Sequence, residues 1–253
     1  MSFLRSSVRL LPVLPLASAI ALAWIFVVWS TTASMDDPIA MLMMPMAGDW
    51  NLIAATAVFA MWSIMMAAMM LPAALPVLDA YRRVLGNKKL GATQGGVVYF
   101  AAGHLLIWIG FAAVATFAQW RLVGSNDLKP MMIEFRSPIV GGAALAMAGL
   151  FQWTPLKHAC LARCRSPLGF LLTEWRSGRA GALRMGVHYG FFCLGCCWAL
   201  MALLFVFGAM NLAAILALTA IVILEKIVPN GEWLARIIGV ALFLLGIWWI
   251  ASG

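Results

Sequence analysis

Three of this chain's five cysteines fall within five residues, in the stretch His188-Tyr-Gly-Phe-Phe-Cys193-Leu-Gly-Cys196-Cys197-Trp198. Thiolate sulfur selects soft ions such as Cu(I) and Zn²⁺ over Ca²⁺ and Mg²⁺. On a helix, Cys193 and Cys196 stand at i, i+3 and can hold one ion together. Cys197, or a partner helix, can supply a third sulfur. The same Cys-x-x-Cys spacing also serves thiol–disulfide exchange. Both chemistries stay open on spacing alone.

Other soft or ionisable groups are candidates to join this cluster. His158-Ala-Cys160-Leu-Ala-Arg-Cys164 places Cys160 and Cys164 at i, i+4 if helical. Arg163 and Arg165 beside them favour thiolate, so the pair reads as a cytoplasmic exchange site. Methionine is abundant, at 17 residues, and Met61, Met65, Met66, Met69 and Met70 recur at helical spacing. Such a stripe packs a core, or forms a thioether track ending at Met69 and Met70. A second run, Met41-Leu-Met43-Met44-Pro-Met46, follows Asp36-Asp37 and reads as an outer mouth or an interfacial segment. His104 is a lone histidine in an apolar run, and intramembrane ionisable groups are functional candidates. His188 lies near a membrane edge as a ligand or an interfacial residue. Glu225, next to Lys226, reads as an ordinary interfacial carboxylate.

The elements that must position these groups are membrane helices. The 253 residues are 64% hydrophobic and 10% charged, with mean hydropathy +0.98. Apolar runs of about 20 residues recur, which is the signature of membrane helices. The fold class expected is all-α: a polytopic integral membrane helix bundle of about seven spans, forming one domain over residues 1–253. The spans are placed near 10–30, 52–78, 96–118, 138–153, 186–208, 211–223 and 233–251. The first, despite Ala-Ser-Ala at 17–19, reads as an uncleaved anchor because the apolar run continues beyond it. Pro72 and Pro76 are expected to kink or break the end of the second. Asn211 marks a tight turn, and Pro229-Asn230-Gly231 marks a break.

Charge sets the orientation. With the N-terminus cytoplasmic and the C-terminus outside, 14 of the 17 Lys and Arg residues fall inside and only Arg121, Lys129 and Arg136 outside. The net charge of +8 is thus a topology signal and not a nucleic-acid footprint. A polar, basic loop over about 154–185 is placed in the cytoplasm, where it also attracts anionic lipid. At about 1.5 Å per residue, the Cys193–Cys197 cluster lies roughly 10–17 Å in from the cytoplasmic end of its span. His104, Met69 and Met70 come to a similar depth. Gly186 and Gly190 share the cysteine face and admit a close neighbouring helix. The sequence has no phosphate-cradling loop, dinucleotide glycine fingerprint or serine elbow, so an ATP-driven pump with its own nucleotide domain is excluded.

Met69-Met-Leu-Pro72, Cys160-Leu-Ala-Arg-Cys-Arg-Ser-Pro167, Gly186-Val-His-Tyr-Gly-Phe-Phe-Cys-Leu-Gly-Cys-Cys-Trp-Ala-Leu-Met201 and Glu225-Lys226 resemble a bacterial family of unknown function. That family is described as predicted metal-binding integral membrane proteins, and the likeness extends over residues 50–250 or so. The resemblance implies an all-helical membrane protein and suggests a metal. It supplies no activity.

The expectation is a multi-pass protein of the cell inner membrane. It would bind a thiophilic ion, Cu(I) first and zinc second, for transport or for delivery to a partner protein. Cys193, Cys196 and Cys197 would be ligands, with Met69, Met70, His104 or His188 completing the shell. Partners would be the ion, membrane lipids, and a protein partner or a second copy. A membrane thiol–disulfide oxidoreductase and a non-catalytic assembly subunit are the alternatives. An enzyme is the less favoured class.

Overall fold

The computed structural model describes residues 14–34, 36–85 and 95–252. Arg5, Arg9, Lys88 and Lys89, which contribute to the orientation argument, lie outside the described residues. Apolar runs become helices because a backbone removed from water must satisfy its hydrogen bonds within the segment. In chain order the helices are α1 (Leu14–Thr32), α2 (Pro38–Met43), α3 (Leu52–Leu85), α4 (Gly96–Gly124), α5 (Pro138–Phe151), α6 (Pro155–Arg165), α7 (Pro167–Glu174), α8 (Gly178–Ala202), α9 (Leu204–Phe207), α10 (Leu212–Ile227) and α11 (Gly231–Ser252). A short antiparallel ribbon, β1 (Leu128–Lys129) with β2 (Glu134–Phe135), joins α4 to α5.

Among the described residues, five stretches are long and apolar enough to cross a membrane: Pro15–Thr32, Leu52–Val84, Gly96–Gly124, Gly178–Phe207 and Gly231–Ser252. The bent pair α5 and α6 makes six if counted as one span. The seven expected from sequence are therefore not reached by length and composition. With 14 and 16 residues, α5 and α10 rise only about 21 and 24 Å at 1.5 Å per residue, short of a hydrocarbon core of about 30 Å.

Three segments differ from expectation in a way that matters for the site. First, α3 runs unbroken to Leu85 with Pro72 and Pro76 inside it; packing against neighbouring helices holds a helix together where two N–H donors are missing. Second, the stretch 154–185 is not a polar loop. It folds into α6, α7 and the first turns of α8. Thr154 caps α6, its hydroxyl accepting from the Lys157 amide, and Pro155 at the first position disfavours helical backbone just before it. The chain turns by 63° there, and α6 packs against α8. Third, α8 starts at Gly178, eight residues earlier than expected. The cysteines therefore stand near the middle of the 30-residue span Gly178–Phe207, farther from its start than the roughly 10–17 Å expected.

The most extensive helix pair is α4 with α8. It is built on glycine: a Cβ at Gly186 would fall on the Phe100 carbonyl, and one at Gly103 on the Leu183 carbonyl. Phe100 faces Gly186 and Ile107 faces Gly190, so the two helices run parallel. By contrast α3 runs antiparallel to α4: Trp62 meets Gln119, and Tyr81 meets Phe100. The pair α5–α11 is antiparallel as well, Gly142 meeting Gly246 and Gly149 meeting Gly239.

Candidate metal centre

The close approach of α4 to α8 buries one face of α8 and leaves the other outside. Cys193, Cys196 and Cys197 are 0%, 1% and 1% exposed, while Phe191 and Trp198 stand out at 58% and 44%. The i, i+3, i+4 spacing is what places all three cysteines on the buried face. Their sulfurs do not converge on one point. The Cys196 and Cys197 thiols both turn back to the Cys193 carbonyl oxygen, at 3.1 and 2.8 Å. Thiols in a helix make the same local back-bonds as hydroxyls.

What faces this group comes from three other helices. From α6, Cys164 brings its sulfur to 4.0 Å from that of Cys196. Cys160, one turn earlier, lies over Gly195, where a Cβ would come within 2.6 Å of its sulfur. By sequence position Cys160 and Cys164 form a separate cytoplasmic pair. Once α6 folds back onto α8, the Cys164 sulfur becomes part of the central cluster. All five cysteines are free thiols, with Cys160 alone partly exposed. From α10, the Lys226 ammonium donates to the Cys193 sulfur at 3.0 Å. From α4, the fully buried His104 ring lies 5.6 Å from the Tyr189 ring. Neither His104 nitrogen has a hydrogen-bond partner, although the Met70 backbone of α3 faces the ring.

Next to the thiols lies an ion pair. Lys157 of α6 and Glu225 of α10 meet at 2.6 Å, with side chains 0% and 1% exposed. Glu225 is therefore no interfacial carboxylate, and Lys157 and Lys226 are not loop charges. The sequence signal was present, since charged residues at membrane depth are rarely idle. It was masked by their position at the ends of apolar runs.

The other expected ligands divide. Met69 and Met70 are fully buried in α3, within the same core as Met61, Met65 and Met66. His188 does not join the thiols. It is exposed and pairs with Glu174 at 3.0 Å, beside a cleft of about 480 Å³ that Arg176 and Arg184 also line. In the outer methionine run, Met43 and Met44 are buried while Met41 and Met46 are exposed. Among the described residues, no three His, Cys, Asp or Glu side chains are arranged to hold one ion.

The donor set fits a two-coordinate soft ion better than a tetrahedral one. The Cys164–Cys196 separation of 4.0 Å is about twice a disulfide length of roughly 2.05 Å. It is only somewhat short of two metal–sulfur bonds of about 2.3 Å each. The His104 imidazole beside this group has neither nitrogen in a hydrogen bond, and a buried polar group without a partner is costly.

The family model described as PpoB2, copper chaperone, matches residues 59–249. The match covers most of the chain and all the residues of the thiol cluster, so the protein belongs to this family. Comparisons with curated proteins and with solved structures give no match.

Proposed function

We propose that this chain is a multi-pass membrane copper chaperone that holds Cu(I) between Cys164 and Cys196 and hands it to a partner apoprotein. The observation that carries the reading is the buried sulfur pair from two helices, 4.0 Å apart, inside a chain of the copper chaperone family. Copper is the cargo. Cys193, Cys197 and His104 surround the pair, and Met69 and Met70 lie on the adjoining helix as thioether donors along the route. Cys160, partly exposed one turn from Cys164, is the natural point of exchange with a partner. Zinc fits less well, since it takes four ligands where two sulfurs face each other.

The same reading keeps seven spans, with α5 and α10 as short crossings, the N-terminus cytoplasmic and the C-terminus outside the inner membrane. The helix directions agree with it. Parallel α4 and α8, antiparallel α3 and α4, and antiparallel α5 and α11 are what that order requires. Taking the buried Lys157 and Lys226 out of the loop charges leaves the inside bias intact. A disulfide-exchange role is not favoured: Cys193 and Cys196 are 0% and 1% exposed, out of reach of a partner's thiol or disulfide.

The test is Cu(I) binding by the full chain, purified anaerobically in mild detergent and titrated against a Cu(I) chelator. Wild type should hold close to one copper, and Cys164→Ser and Cys196→Ser should each lose it. Equal copper retention in all three would reject the sulfur pair.

A further inference from the structure

The position of Lys226 bears on which ions the cluster accepts. The residue is 7% exposed, its ammonium donates to the Cys193 sulfur at 3.0 Å, and among the described residues it forms no ion pair with a carboxylate. The neighbouring buried charges cancel in the Lys157–Glu225 pair. One positive charge is thus fixed against the thiols, and it occupies the sulfur that would otherwise be the third ligand.

We infer that Lys226 is a selectivity residue that confines the thiol cluster to a monovalent ion. The inference rests on the copper reading of the Cys164–Cys196 pair. With Cys193 a neutral thiol, two thiolates, one Cu(I) or Ag(I) and one ammonium sum to zero, so the occupied site is neutral in a medium that penalises net charge. A divalent ion between the same two sulfurs leaves the site, ammonium included, with one excess positive charge. It would need a third thiolate, and the candidate is Cys193, whose sulfur Lys226 already engages. At about 4 Å and an effective dielectric constant of about 20, one unit of charge difference next to the ammonium is worth of order a thousandfold in affinity. Charge and ligand count therefore act in the same direction. Selectivity here comes from a repulsive element as well as from soft sulfur.

The experiment compares Ag(I), a redox-inert monovalent probe, with Cd(II), a divalent ion that is also thiophilic, in competition on the detergent-solubilised full chain. Wild type should take Ag(I) and exclude Cd(II). Lys226→Met should raise Cd(II) affinity relative to Ag(I) by at least about tenfold. Lys226→Arg should keep the wild-type ratio, and Lys226→Met/Cys193→Ala should keep the part of the gain due to charge and lose the part due to the third sulfur. An unchanged ratio in Lys226→Met overturns the inference and leaves the copper reading standing. Should that variant fail to fold, wild type still decides: Cd(II) bound as tightly as Ag(I) overturns the inference. Wild type that binds neither Ag(I) nor Cu(I) rejects the copper reading itself.

Discussion

Lys157 and Glu225 are 68 residues apart in sequence and meet at 2.6 Å in the buried core, tying α6 to α10. Neither helix is long enough to be an ordinary span, and their mutual attachment is part of what holds α6 inside the bundle. A buried pair contributes little relative to an apolar pair of the same shape, but breaking it strands a charge. Lys157→Met should therefore destabilise by about 3–5 kcal/mol. Lys157→Met/Glu225→Leu should recover most of that loss. Thermal unfolding in detergent measures both; a double variant no more stable than the single one would contradict this account.

Glycine at 186 is a steric requirement. A Cβ there would overlap the Phe100 carbonyl of α4, and backbone cannot step aside as a side chain can. Gly186→Ala should separate α4 from α8, lower the yield of folded protein and release copper. Gly110, on the same α4, has nothing within 4 Å of its would-be Cβ, so Gly110→Ala should be stable and bind copper normally. Size-exclusion profiles and copper content of the two variants side by side check the contrast.

The five thiols should differ in reactivity. Cys160 is partly exposed, whereas Cys164, Cys193, Cys196 and Cys197 are 3% exposed or less. Native protein should react rapidly with one maleimide per chain, and mass spectrometry should find it on Cys160. The other four should react only on unfolding. Rapid labelling of Cys196 in the native state would contradict the burial described above.

His104 separates stability from function. Its two ring nitrogens are buried without partners, so His104→Leu should leave stability unchanged or raise it by about 1 kcal/mol. If the imidazole supports the copper site, the same variant should lose about 10–100-fold in Cu(I) affinity, the range usual for groups that assist a metal site. A loss of stability with unchanged copper affinity would make His104 a packing residue.

Much of this was legible in the chain. Long apolar runs required membrane helices, and the breaks at Gly208 and Asn211 and at 229–231 were marked by turn residues. Cys193, Cys196 and Cys197 shared a face by spacing alone, and Gly186 on that face implied a close partner helix. These are local consequences of composition and of the 3.6-residue period.

What sequence could not give was which residues meet. The span 154–185 looks like a loop because it carries seven of the chain's basic or imidazole residues, Arg184 included, and charge density is the main cue for leaving the membrane. Only the tertiary structure pairs Lys157 with Glu225 and thereby lets α6 return to the core. That return brings Cys164 to Cys196. The Lys226–Cys193 contact arises in the same way, from helices distant in the chain. Sequence by itself determined the helices, the sulfur face and the glycine contact surface, because each depends on neighbours within a turn or two. The cluster's membership was decided by tertiary packing, because a buried charge finds its partner across helices, at separations no local period encodes.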